Sequence, residues 1–361
     1  MNNKNLSSAQ WLRRFLALVL AVLAILAVLV YIIDPYYHYR AYDHKYKIDK
    51  IFSVPGVVKN YDYDTIIIGS SMTQNFDMDS FRRELGQNPV KATLGGIDTP
   101  EVAALLKLAQ DAGHAENYYL CIDETMLCGD EGEQRFPEYL MDNNPFNDFR
   151  YFWGYEAWMR FIPLDLALLA ADKLDIALPQ RFQDARSVDK MGEWAYLYRF
   201  GKEQVLDAYA NSANGEGIKL DENAAVEDPI AQCDKFLSSI DLSQGNVVLY
   251  FPPYSALMWY KMQQEGKLDN YFAAKRYFTA QLSAYENVTI YDFQGADFTT
   301  DLDNYKDTRH HSPEINDFIV HCFATGEYRL DPDQVIETEA RILQNIETLL
   351  TENPEIPTLR S

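Results

Sequence analysis

A parallel, doubly wound (flavodoxin-like) α/β sheet is the fold this sequence predicts, and three observations carry that expectation. Five short runs rich in β-branched and aromatic residues recur: Thr65 to Ile68, Val90 to Leu94, Tyr118 to Ile122, Val247 to Phe251 and Val288 to Tyr291. Most are separated by apolar residues at helical spacing, and strands that alternate with helices build parallel sheets with helices on both faces. The first run leads from three consecutive isoleucines straight into a glycine and two hydroxyls, Ile66-Ile67-Ile68-Gly69-Ser70-Ser71. A continuous apolar run bounded by turn residues reads as a strand covered on both faces, and ligands of such sheets sit beyond the carboxyl ends of the strands. Ser71 is expected at that rim.

Taken in order, the chain opens with a short tail, residues 1–14, followed by an uninterrupted apolar stretch from Phe15 to Ile33. At about 1.5 Å per residue this stretch is long enough to cross a bilayer core. A cleaved signal sequence is the rival reading, but Tyr31-Ile32-Ile33-Asp34-Pro35-Tyr36-Tyr37 follows in place of a small-residue cut site, and aromatics there suit a membrane interface. The stretch is therefore read as an uncleaved single-pass anchor. Lys4, Arg13 and Arg14 precede it and Arg40, Lys45, Lys47 and Lys50 follow it, so positive charge alone does not orient it. With so short a tail before the helix, the tail is assigned to the cytoplasm and the bulk of the chain to the outer side of a cell membrane.

Residues 34–60 read as a juxtamembrane connector, and residues 61–352 as one α/β domain, with 353–361 as a tail. Within the domain, Pro100 to Gly113 reads as a helix with Thr99 at its N-cap and Pro100 at its first position. Lys267 to Tyr285, Pro313 to Phe323 and Val335 to Leu350 show similar spacing. The gap between the third and fourth strands is too long for one crossover, so residues 129–245 are read as an insertion. It is partly helical, as in Ile162 to Leu178, and opens with Phe146, Phe149, Tyr151, Phe152, Trp153, Tyr155, Trp158 and Phe161. Such aromatic density fits a cap over a site, a surface for a membrane or partner, or a small satellite core.

Composition bounds the rest. With 361 residues, 47% of them hydrophobic and 24% charged, the chain has material for a sizeable core. A formal net charge of −22 argues against a nucleic-acid partner and against broad adhesion to anionic lipid. Four cysteines make no disulfide framework, although Cys121 and Cys128 lie close enough either to pair or to stay free thiols. No Cys/His spacing resembles a zinc site, and no metal or cofactor is expected. His38, His44, His114 and His321 have no partner pattern and are read as structural or exposed.

The far end of the chain gives Ser71 its meaning. Asp307-Thr308-Arg309-His310-His311-Ser312 offers a carboxylate and an imidazole three residues apart, the two missing members of a Ser-His-Asp triad. Attack of a serine on an ester carbonyl needs such a base, a carboxylate to orient it, and amide donors for the developing oxyanion. The competing role for Ser71 is to cap a following helix. Ser70 is expected to make contacts within the turn.

Strand-Gly69-Ser70-Ser71 near the start, Gly95-Gly96 after the second strand and Asp307-x-x-His310 near the end follow the block order of the SGNH hydrolases, also called the GDSL family. The chain resembles that family from about residue 34 to 350, and most closely its membrane-anchored extracytoplasmic branch. That branch includes the D-alanine-transfer protein of teichoic acid modification and alginate O-acetyltransferase-like proteins. The resemblance implies a bacterial cell-envelope esterase or O-acyltransferase with Ser71 as nucleophile, His310 as base and Asp307 as its orienting carboxylate. It also implies a glycan or acyl-ester substrate and a multi-spanning membrane O-acyltransferase as partner. Two departures stand out: the usual Gly-Asp-Ser is Gly69-Ser70-Ser71, and the third-block Gly-x-Asn-Asp gives way to Ile122-Asp123-Glu124-Thr125.

The oxyanion donors are then the backbone N–H groups of Ser71 and of Gly95 or Gly96, and without the customary Asn the activity is expected to be slow, substrate-assisted, or completed by Asn75 or a partner protein. Ser70, Asn75, Asp123, Tyr254 and His311 are the candidate substrate-binding residues. For Asp123 and Tyr254 the competing roles are hydrogen bonding to a neighbouring loop and turn packing. A different class of function remains open: a non-catalytic envelope protein that binds glycan or a membrane acyltransferase.

Overall fold

The computed structural model describes residues 7–42, 50–129, 132–177, 187–213 and 228–357. Lys4, His44, Lys45, Lys47 and Leu178, named above, lie outside them. In chain order the helices are α1 (Ser8–Ile33), α2 (Lys50–Asn60), α3 (Met78–Leu85), α4 (Thr99–Ala112), α5 (Glu124–Cys128), α6 (Phe149–Trp153), α7 (Ile162–Lys173), α8 (Lys202–Ala213), α9 (Pro229–Ser239), α10 (Ala256–Gln264), α11 (Leu268–Leu282), α12 (Pro313–Thr325) and α13 (Val335–Glu352). The strands are β1 (Thr65–Gly69), β2 (Pro89–Thr93), β3 (Asn117–Cys121), β4 (Asn246–Phe251) and β5 (Val288–Asp292). They form one all-parallel sheet in the order β2-β1-β3-β4-β5.

This order is the flavodoxin-like doubly wound one, and its direction of winding reverses at β1 and β3. A crevice opens between the carboxyl ends of two adjacent strands whose connections run opposite ways. Here those ends are Gly69 and Cys121, so Ser70-Ser71 and Ile122-Asp123 face the same crevice. Burial on both faces explains the isoleucine run, because Ile66, Ile67 and Ile68 are fully enclosed.

Local chemistry refines several expected boundaries. Helix α4 starts one residue earlier than expected: its N-cap is Asp98, which forms a capping box with Glu101, so Thr99 is already helical. Ser71 caps no helix, since residues 71–75 are turns and α3 starts behind Asp77, whose side chain accepts from the Asp79 N–H. Residues 50–60 belong to the globular body. In α2, Val54, Val57 and Val58 are fully buried, and a Cβ on Gly56 would come within 2.3 Å of the Tyr36 carbonyl oxygen. Cys121 and Cys128 are free thiols.

The insertion builds a second, smaller core in which Tyr151, Phe161 and Ile162 pack with Val30 and Tyr36. The satellite-core reading therefore accounts for part of the aromatic run, while Phe146, Phe149, Trp153 and Tyr155 stay exposed. Helix α1 is long and apolar enough to cross a membrane, and Val30 is its single buried residue.

The close fit at the end of β1 gives a stability prediction. A Cβ on Gly69 would lie 2.5 Å from Thr73 Cγ2 and 2.7 Å from Cys121 Cβ. Gly69→Ala is therefore expected to cost about 1–3 kcal/mol by overpacking. Urea unfolding would read this as a lower midpoint at unchanged slope, and an unchanged midpoint would refute the fit.

Candidate active site

The turn after β1 and a loop before α12 meet over the crevice. Ser71 Oγ lies 2.8 Å from His310 Nε2, across 239 residues of chain. On the other side of the ring, His310 Nδ1 lies 2.8 Å from Asp307 Oδ2 and 2.9 Å from Oδ1. The bonding pattern assigns the tautomer: Nδ1–H donates to Asp307, which leaves Nε2 to accept the Ser71 proton. The three groups expected from the sequence thus form one hydrogen-bonded chain.

The carboxylate of Asp307 is well supplied with donors. Its Oδ1 accepts the N–H groups of Arg309 and His310, both at 2.9 Å, and its Oδ2 accepts Lys306 Nζ at 2.8 Å. Burial alone would raise its pKa, but the His310 hydrogen bond and charge, with Lys306, outweigh burial and hold it well below the usual carboxylate range. The loop itself is pinned at several points. Thr308 O accepts from Ser255 N and Oγ, Tyr305 pairs with His311, and Arg309 forms an ion pair with Glu124 at the start of α5.

A strap from the insertion closes one side. The Trp194 indole N–H donates to Ser71 O at 3.0 Å, and its ring meets the His310 ring edge-on at 5.2 Å. Asn75 Oδ1 accepts the N–H groups of Trp194 and Ala195, and Lys306 Nζ lies 5.0 Å from the centre of the Trp194 ring. The fully buried Lys91 on β2 donates from Nζ to the carbonyls of Gln74 and Phe76, at 2.9 and 3.3 Å, and so props the turn that carries Ser71.

Gly95 and Gly96 border open space. The nearest atom to a Cβ on Gly95 would be Gln74 Nε2 at 3.9 Å, and a Cβ on Gly96 would meet nothing within 4 Å. Arg135, doubly bonded to Glu101, donates to both glycine carbonyls, at 3.2 Å for Gly95 and 2.7 Å for Gly96. Because the peptide is trans, the Gly96 N–H points away from Arg135. Gln74 Nε2 and Asn75 Nδ2 are buried donors with no hydrogen-bond partner among the described residues.

The remaining candidates are placed as follows. Ser70 is buried, and its Oγ accepts from Met72 N, as expected for a turn contact. Asp123 and Tyr254 are buried and bonded to each other, and Asp123 also bonds Ser70. They lie beneath the site. His311 is buried, bonded through Nδ1 to Ser312 O, and its pKa is pushed down to about 4 by burial. Sequence reasoning missed Gln74, Lys91, Trp194, Lys306, Arg309 and Glu124. A polar residue within a strand run was the available sign for Lys91, and the Trp194-Tyr196-Tyr198-Phe200 alternation was the sign for the strap. Among the described residues no group of three or more His, Cys, Asp or Glu side chains is arranged to hold a metal ion.

No protein-family model matches this chain, and no curated protein matches it in sequence.

Asp123 supplies a pH prediction. Burial, with Glu124 beside it, pushes its carboxyl up to about 6. A folded-state pKa above the unfolded one, about 3.9, means that the protonated carboxyl stabilises the fold below pH 4. That contribution fades as pH rises through about 6. Asp123→Asn keeps an acceptor for Tyr254 but cannot ionise. Between pH 4 and 7 the wild type should therefore lose on the order of 2 kcal/mol relative to this variant. Parallel urea-midpoint profiles for the two proteins would refute the assignment.

Proposed function

We propose that this chain is an SGNH-like serine esterase or O-acyltransferase, held at the outer face of a cell membrane by α1, that acts on cell-envelope polysaccharide through an acyl-enzyme on Ser71. The observation that carries the reading is the unbroken chain from Ser71 Oγ through both nitrogens of His310 to Asp307. A serine that only lined a turn would have no need of an oriented base.

In the first half-reaction, Ser71 Oγ attacks the ester carbonyl carbon while His310 Nε2 takes its proton, and the Asp307 carboxylate stabilises the imidazolium that forms. Collapse of the tetrahedral intermediate breaks the bond to the leaving alcohol, which takes the proton from Nε2. In the second, a sugar hydroxyl or water gives a proton to Nε2 and attacks the acyl carbon, and Ser71 leaves with that proton restored. A multi-spanning membrane O-acyltransferase is the donor-side partner this reading favours.

Charge on the intermediate needs donors. The Ser71 and Gly96 N–H groups are two, and the family's Asn is missing. The Gln74 carboxamide takes its place: it is buried, has an uncommitted donor, and lies beside the open face of Gly95. Asn75, the other candidate, has its oxygen engaged in holding the strap.

Full-length protein in detergent should react with a fluorophosphonate and turn over an aryl acetate. Ser71→Ala should abolish both reactions, and Asp307→Asn should slow acylation roughly 10³- to 10⁴-fold. A wild type that labels no better than Ser71→Ala would sink this reading in favour of a non-catalytic glycan- or partner-binding envelope protein. Gln74→Leu should lower kcat about 10²- to 10³-fold with a nearly constant KM. A kcat within threefold of wild type would remove Gln74 from the oxyanion hole.

A further inference from the structure

The insertion carries an apolar surface that neither the sheet nor the proposed chemistry uses. Helix α6 runs beside α1, and the Trp153 indole N–H donates to the Leu23 carbonyl at 3.3 Å. Leu23 lies ten residues before the end of α1 at Ile33. At about 1.5 Å per residue this is roughly 15 Å back along the helix, about half the thickness of a bilayer's hydrocarbon core. The part of the insertion that reaches Leu23 therefore shares its surroundings with the middle of α1.

The rest of this stretch of the insertion suits those surroundings. Phe146 is 90% exposed and Met159 66%, and Phe149, Trp153, Leu166 and Leu169 are also exposed along the same stretch. Exposed apolar area of this kind is costly in water and favourable in lipid. The end of α7 is polar, with Asp172, Lys173 and Asp175 exposed, which places that end toward the headgroup layer, while the charges nearer the Leu23 contact are engaged within the protein. Asp148 is bonded to His38 and Tyr39, Glu156 pairs with Arg160 at 3.7 Å, and the Arg150 and Arg160 guanidiniums lie over the Phe149 and Phe161 rings. Long arginine stems of this kind let a charged head reach the headgroup layer while the carbons stay in apolar surroundings.

We propose that α6 and α7, from Phe146 to Ile176, are seated in the outer leaflet of the membrane that α1 crosses, with acyl chains as the occupant of their exposed face. The proposal rests on α1 being a retained anchor. Continuity selects lipid over a protein partner, because α6 packs against a helix that is exposed on all sides from Ser8 to Ile25 and covered only over its last two turns. The membrane attachment of the domain is then a helix plus a shallow second element, which fixes how the globular body tilts.

The test uses the full-length chain in phosphatidylcholine vesicles that contain a lipid with a diazirine in its acyl chain. Irradiation converts the diazirine to a carbene that inserts into whatever lies beside it, and mass spectrometry locates the adducts. Adducts are expected on α1 and between residues 146 and 176, with none on α10 or α13. In Leu166→Glu/Leu169→Glu, which alters exposed positions only, adducts on that segment should fall at least about fivefold while those on α1 persist. Adducts on α1 alone would overturn the proposal, as expected if the patch serves a protein partner. Adducts on neither segment would overturn it together with the retained anchor.

Discussion

The ammonium of Lys91 is the group on which the arrangement around Ser71 depends. It is fully buried on β2, and burial lowers its pKa to about 8. A buried charge is tolerable only when its partners are complete. Two of those partners are the carbonyls of Gln74 and Phe76, in the turn that presents Ser71, and the third is the carboxylate of Glu193, 3.5 Å away and adjacent to Trp194. One charge thus joins the sheet, the Ser71 turn and the strap. None of the three can move without leaving part of that charge unpaired.

The two acidic residues nearest the site show how environment separates like groups. Asp307 collects two backbone N–H groups, an imidazole and an ammonium, so it stays ionised in spite of its burial. Asp123 is enclosed with Glu124 beside it, accepts only neutral hydroxyls from Tyr254 and Ser70, and moves the other way. Carboxyl groups pushed apart in this manner take different roles. Asp307 fixes the ring of His310. Asp123 is a neutral link at mildly acidic pH that ties the end of β3 to the loop after β4.

Much of this was legible in the chain itself. The sheet could be read because each strand is short, apolar and bounded by turn residues, and the triad because its members fall at strand and loop ends, where side chains are free to converge. What could not be read depends on contacts between distant segments. Trp194 looks like any insertion aromatic until Asn75 holds its backbone above Ser71. Helix α2 was hidden by Pro55 and Gly56, which argue locally against a helix. The glycine is there because the chain must pass against the Tyr36 and Tyr37 carbonyls. Gln74 has no sequence signature at all, since its importance lies in a donor left without a partner.

The junction between α1 and the domain fixes where Ser71 lies relative to that helix. A flexible linker would let the domain sample many orientations. Here α1 ends at Asp34, in the left-handed conformation, whose carboxylate accepts the N–H groups of His38, Tyr39 and Arg40 and the hydroxyl of Tyr151 on α6. His38 in turn bonds Asp148 and Lys59, so α1, α2 and the insertion share one buried polar network. Breaking it would strand several polar groups at once, which makes the junction stiff. The insertion that grips α1 at one end also supplies, farther along, the strap over Ser71. The position of Ser71 relative to α1 is therefore set by packing around the Asp34 network rather than by a tether.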